Sequence, residues 1–153
     1  MRKTVKAEIE DVRDLMSIYD SANQLFCKED RADADLDTFY KMLDESNVYI
    51  MYEDIQMPIA FMAFVEKEKY TEMIALYVKT EYQRIGLGQE FISYFEKLNT
   101  GNNRILIIKA LKNAPWALQL YKKNGYKEIG HKMAIELNMK EHPWSIILFK
   151  IIE

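Results

Sequence analysis

The stretch YQRIGLGQEF, residues 82–91, sets two of the chain's five glycines two positions apart, between the apolar run IALYV and a segment of helical periodicity. A strand, a glycine-containing turn and a helix start together expose backbone N–H groups that no helical carbonyl accepts, at the positive end of the helix dipole. Phosphate oxygens suit such a place. Gly86 and Gly88 carry no Cβ, so the main chain can come close to a bulky ligand, and Arg84 can add a charge-assisted contact. A glycine pair also serves a tight turn with no ligand at all, and both readings stand at this point. Two familiar phosphate motifs are absent. Phe91 occupies the place of the third glycine in the dinucleotide fingerprint, and no G-x-x-x-x-G-K-[ST] loop occurs.

Other reactive residue types carry less. Cys27 is the only cysteine, which excludes an internal disulfide. It lies in the charged stretch CKEDRADAD (27–35) and reads as an incidental loop thiol. His131 and His142 are without partners at metal-ligand spacing, so no metal is expected. Lys109, Lys112, Lys122 and Lys123 are either a solvated face or partners for a ligand phosphate. The nine methionines read as adaptable core filler.

These residues must be positioned by a chain of 153 residues, 49% hydrophobic, with a net charge of −3. One domain, 1–153, with a real core is expected. Mild acidity argues against nucleic acid as a partner. The first residues lack the apolar core of a signal peptide, and no run approaches the ~20 apolar residues of a membrane span. The expectation is a cytoplasmic monomer or homodimer that binds no membrane.

Residues 3–8 form a candidate strand. Asp11, with Asp14 three positions on, resembles an N-cap and capping box for a helix over 11–26. Leu36, Phe39, Tyr40 and Leu43 predict a second helix. Strands follow at 47–53, 57–67 and 71–79, with Pro58 near a strand start where it is tolerated. A helix over about 86–98 then puts Leu87, Phe91, Tyr94, Phe95 and Leu98 on one face. Residues 104–110 read as a buried strand. Asn113 is placed to cap the next helix, Pro115 fits its first turn, and Asn124-Gly125 supplies a left-handed stop. Two last strands are expected over 126–138 and 144–152. The order is β-α-α-β-β-β-α-β-α-β-β, an α/β (α+β) arrangement of a mixed sheet flanked by helices.

The stretch LYVKTEYQRIGLGQEFISYFEKL (76–98) resembles the acetyl-CoA-binding segment of the GNAT superfamily of N-acetyltransferases, which carries Q/R-x-x-G-x-G/A after its fourth strand. Gln83, Gly86 and Gly88 have that spacing. A second block, LKNAPWALQLYKKNGYKEIG (111–130), is similar to the family's later motif through Asn113, Ala117, Leu120, Tyr121, Gly125 and Tyr126. The resemblance implies a mostly antiparallel sheet of about seven strands with about four helices, splayed between strands 4 and 5. It implies acetyl-CoA as co-substrate and no metal. The pantetheine arm would lie along Leu76, Tyr77 and Val78. The pyrophosphate would rest on Gln83, Arg84, Ile85, Gly86, Leu87, Gly88 and Gln89. Asn113 would reach the arm, with Ala117 and Tyr121 near the thioester.

Amide formation from a thioester then sets three demands. An alkylamine, with a pKa of roughly 10.4, must lose a proton before it attacks. The oxyanion needs a fixed N–H, which the resemblance assigns near Val78. The departing thiolate gains from an acid, and the resemblance assigns Tyr121. Glu72 has the spacing to Gln83 of the glutamate base in the histone-acetyltransferase branch. It shares a strand face with Ile74, Leu76 and Val78, and reads either as that base or as a solvated glutamate at a strand start. The implied activity is direct acetyl transfer to a primary amine of a small molecule or protein; a non-catalytic acyl-CoA-binding module is the alternative. The acidic 27–35 loop could draw in a cationic amine, and His142 could border the acceptor mouth.

Overall fold

The computed structural model describes residues 2–23, 35–54, 56–101 and 103–152. Seven strands form one sheet in the order β1-β2-β3-β4-β5-β7-β6. They are β1 (Lys3–Lys6), β2 (Asn47–Tyr52), β3 (Pro58–Glu66), β4 (Thr71–Val78), β5 (Ile105–Leu111), β6 (Lys127–Glu128) and β7 (Ser145–Ile151). The helices are α1 (Val12–Ala22), α2 (Leu36–Glu45), α3 (Leu87–Leu98), α4 (Pro115–Lys123) and α5 (His131–Glu136). The β4–β5 pair is parallel, whereas the β1–β2, β2–β3, β5–β7 and β6–β7 pairs are antiparallel. None of the described helices is long and apolar enough to cross a membrane.

The chain resolves into two compact units interleaved in sequence. The first takes Met1–Phe64 and Ala75–Gly88. Its core gathers Leu15 and Ile18 of α1, Phe39 of α2, Ile50 of β2, Phe61 of β3 and Ala75 of β4, all buried. Leu15, Ile18 and Tyr19 recur at the spacing that puts them on one helix face, so burial of that face holds α1 on the sheet. Tyr77 joins this core edge-on to Tyr19, with ring centroids 5.0 Å apart, and 5.4 Å from Phe61. Ser21 ties the end of α1 to the segment after β4. Its Oγ accepts the Thr80 N–H at 3.0 Å, and its carbonyl accepts the Thr80 hydroxyl at 2.7 Å.

The second unit takes Val65–Ile74 and Gln89–Glu153. β5 and β7 pair along their whole lengths, from Ile105↔Ile151 to Leu111↔Ser145. The β4–β5 register joins Thr71, Glu72 and Met73 to Leu106, Ile107 and Ile108. Among the described residues no further pair follows, although β4 runs on to Val78 and β5 to Leu111.

Four local expectations are corrected. Residues 126–138 are not one strand. β6 stops at Glu128, Gly130 precedes α5, and Met133, Ala134 and Leu137 face inward at helical spacing. Among the described residues the α-helices number five, where about four were expected. Asn113 does not cap α4, because Ala114 takes that position with no side-chain hydrogen bond. Asp11 precedes α1 without capping it by its side chain. Its carboxylate accepts the Glu8 N–H at 2.8 Å, one turn earlier. Asp11 instead closes a capping box with Glu8 on the short 3-10 turn before α1, while the Tyr52 hydroxyl lies 2.8 Å from Asp11 and 2.7 Å from Asp14. Cys27 and all of the 27–35 loop except Asp35 lie outside the described residues. Asp35 caps α2, accepting from the Thr38 N–H at 3.0 Å, and this bond lowers its carboxyl pKa.

Candidate functional site

The glycine loop begins where β4 ends. The Lys79 N–H donates to the Ile59 carbonyl at 2.9 Å, so by strand alternation the polar groups of Val78 point away from β3. The Val78 carbonyl receives the Gln83 side-chain amide at 2.9 Å. The Gln83 N–H donates to Thr80. Gln83, expected among the ligand contacts, thus fastens the loop to the strand end.

Beyond Gln83 the backbone changes hand twice. Arg84 has a φ of 65° and Gly86 a φ of 92°. A left-handed non-glycine residue costs on the order of 1 kcal/mol, and such strain concentrates at ligand sites. Neighbouring residues of opposite hand curl consecutive N–H groups toward one concave side, which suits an anion. Among the described residues, the amides of residues 84–88 have no recorded hydrogen-bond partner. A Cβ built on Gly86 would meet nothing within 4 Å, so the φ demands the glycine while the space beside it stays open. Gly88 and Gln89 follow in the first turn of α3. The Gln89 side chain is engaged elsewhere, with Asn124.

On β4, Leu76, Tyr77 and Val78 are all partly exposed by residue. Tyr77 turns its ring into the first unit's core, and burial, with the nearby Tyr19 adding to it, pushes its phenol up to about 12. Glu72 stands in the part of β4 that pairs with β5, opposite Ile107. Its side chain is 12% exposed, and its Oε2 lies 3.5 Å from Lys109 Nζ. The expected apolar setting is therefore interrupted by a cation. Tyr70, two residues before it, has its phenol pKa raised by burial and by the Glu72 charge. The pairing was visible only through the parallel register, which sets Lys109 next after Ile107 on the face of Glu72. Of the other lysines considered for a phosphate, Lys122 meets Glu128 at 3.4 Å, while Lys112 and Lys123 are exposed.

Tyr121 is buried in α4, and its carbonyl accepts the Tyr126 N–H at 3.1 Å. Ala117 is partly exposed one turn earlier, and Asn113 is exposed in the turn before the helix. A polar cluster that sequence reasoning missed holds the end of α4. Lys150 donates to Glu96 at 2.9 Å and to the Asn124 carbonyl at 2.9 Å, and the Tyr126 hydroxyl donates to Glu96 at 3.2 Å. Burial and the Glu96 carboxylate push the Tyr126 phenol up. His142 stacks on Trp144 with centroids 4.7 Å apart. Among the described residues, no group of three metal-ligating side chains occurs.

The acetyltransferase (GNAT) domain family matches residues 44–128 of the chain, which takes in β2, the glycine loop and α4. The protein belongs to the GNAT acetyltransferase family and is by class an acyltransferase. Solved structures show the same fold. The ribosomal-protein-S18-alanine N-acetyltransferase of Escherichia coli superposes with a TM-score of 0.77 at 16% identity, covering 100% of this chain and 95% of that one. The PaiA N-acetyltransferase of Thermoplasma acidophilum, solved in complex with coenzyme A, gives 0.79 at 15% identity, with 99% of each chain covered. An acetyltransferase of Streptococcus agalactiae gives 0.80 at 14% identity, covering 99% and 98%. No curated protein sequence matches the chain significantly.

Proposed function

We propose that the protein transfers the acetyl group of acetyl-CoA directly to a primary amine while both substrates are bound. The observation that carries this is the left-handed loop at Arg84 and Gly86, with unpartnered amides and open space where a Cβ would stand. Those amides suit the diphosphate of coenzyme A, a ligand present in the complex with the PaiA enzyme. The thioester supplies the activated acetyl group. In this reading Leu76, Tyr77 and Val78 offer backbone polar groups to the arm, and Asn113, Ala117 and Tyr121 are further coenzyme contacts. Glu72 draws the proton of the incoming amine through intervening water, the Val78 N–H donates to the oxyanion, and the Tyr121 hydroxyl gives a proton to the departing sulfur. The bond formed is amine nitrogen to acyl carbon; the bond broken is acyl carbon to sulfur.

The acceptor is an amine of a small molecule or of a protein, as in the E. coli enzyme named for a ribosomal-protein alanine. The test is release of free thiol from acetyl-CoA against a panel of small amines and peptide N-termini. Amine-dependent release from at least one class is expected. Tight coenzyme A binding by calorimetry with no release from any amine would turn the assignment toward an acyl-CoA sensor. Absence of binding heat at millimolar coenzyme A would remove the site altogether.

A further inference from the structure

From sequence Lys109 reads as part of a solvated face or as a phosphate partner, yet its ammonium faces the Glu72 carboxylate 3.5 Å away. The two sit on adjacent parallel strands at neighbouring register positions, so the backbone presents them to one another. Glu72 is the more enclosed of the pair, with 12% of its side chain exposed against 33% for Lys109. The same sheet face carries Ile107, Ile147 and Phe149, and α5 covers it with Met133 and Leu137, all apolar. Just before that strand stands Tyr70, whose phenol feels the Glu72 charge. Lys109 is the cation that the structure pairs with this carboxylate.

We infer that Lys109 is a positioning residue for the acetyl-transfer step, fixing the Glu72 carboxylate in the orientation from which it draws the amine proton through water. The inference rests on Glu72 being the base. A glutamate side chain has several rotatable bonds, and a charge-assisted contact to a residue on the next strand restricts them. Proton transfer is sensitive to such placement, because a shift of about 1 Å can cost a hundredfold. Glu72 is mostly enclosed, so loss of its cation also bears on stability, and the rate effect is read beside the melting temperature of each variant.

The experiment is a kinetic double-mutant cycle with acetyl-CoA and the best amine from the panel. Glu72→Gln lowers kcat on the order of a hundredfold. Lys109→Met lowers kcat roughly tenfold with the KM for acetyl-CoA unchanged, and Lys109→Arg returns most of that loss. In the Glu72→Gln background, Lys109→Met has no further effect, since there is no base left to orient. Equal losses from Lys109→Met in both backgrounds overturn the positioning role and leave the base in place. A neutral Lys109→Met beside a damaging Glu72→Gln does the same. A neutral Glu72→Gln removes the base and this role together. A raised acetyl-CoA KM in Lys109→Met, with kcat intact, assigns the lysine to coenzyme binding and overturns the inference. Circular dichroism of each variant confirms that folded protein is being compared.

Discussion

Gly86 and Tyr121 make opposite demands on mutagenesis. At Gly86 the added methyl of an alanine meets open space, but the φ of 92° is one that side-chain-bearing residues avoid. Gly86→Ala should lower stability by roughly 1–2 kcal/mol, read from a urea titration. A loss of coenzyme A affinity beyond that, read by calorimetry, is expected if the methyl intrudes on bound diphosphate. Tyr121→Phe leaves the buried ring and removes one oxygen. Roughly a tenfold to hundredfold fall in kcat, with the acetyl-CoA KM little changed, is expected if that oxygen protonates the leaving sulfur. Equal kcat for the two proteins would remove the acid. The glycine loop was legible in the sequence because its requirement is local: glycine is the residue that adopts such a φ without strain. The Glu72–Lys109 pair was not, because the partners lie on strands joined by a helix and meet only through register.

The elements were legible where one face is buried and periodicity is unmixed. The apolar spacing of α1 and α2, and the short runs of β2, β3, β4 and β5, gave nearly the observed spans. Residues 126–138 failed because a two-residue strand and a six-residue helix are each too short to show a period against the other. The capping expectation at Asp11 and Asp14 was one turn out of place: Asp11 ends the box that Glu8 begins, and Asp14 takes the hydroxyl of Tyr52, distant in sequence. Likewise, nothing local shows that the end of α4 is held through Glu96 of α3 and Lys150 of β7. Glu96→Ala removes the carboxylate that Lys150 and the Tyr126 hydroxyl share, leaving Lys150 the Asn124 carbonyl. It should cost about 2 kcal/mol in a urea titration. Lys150→Met in that background should cost less than it does alone, because the two share partners.

Among the described residues, four phenols respond alike to alkali. Burial leads the upward pKa shift of Tyr52, Tyr70, Tyr77 and Tyr126, with nearby carboxylates adding to it for Tyr52, Tyr70 and Tyr126. A raised folded-state pKa means that the native chain holds its proton where the unfolded chain has released it. Below the unfolded value of about 10 there is no difference to exploit. Above it the unfolded state gains, so stability falls as pH rises past about 10, and for Tyr77 it goes on falling toward about 12. Urea midpoints measured from neutral to strongly alkaline pH should drop on the alkaline side, and Tyr126→Phe should make the drop shallower. An unchanged slope in that variant would assign the sensitivity to other groups.

The turn after α4 has a bearing on how the protein ages. Asparagine followed by glycine is the pairing in which the next amide nitrogen most readily attacks the side-chain carbonyl, expelling ammonia to close a succinimide that water then opens to isoaspartate and aspartate. Here Asn124 donates its amide to the Leu120 carbonyl at 2.8 Å and accepts from Gln89, while the Gly125 N–H is committed to Lys122 at 3.1 Å. Nucleophile and electrophile are both tethered. Peptide mapping of folded stock should find this asparagine intact long after a urea-held sample has lost it, so conversion at this one bond serves as a clock for time spent unfolded.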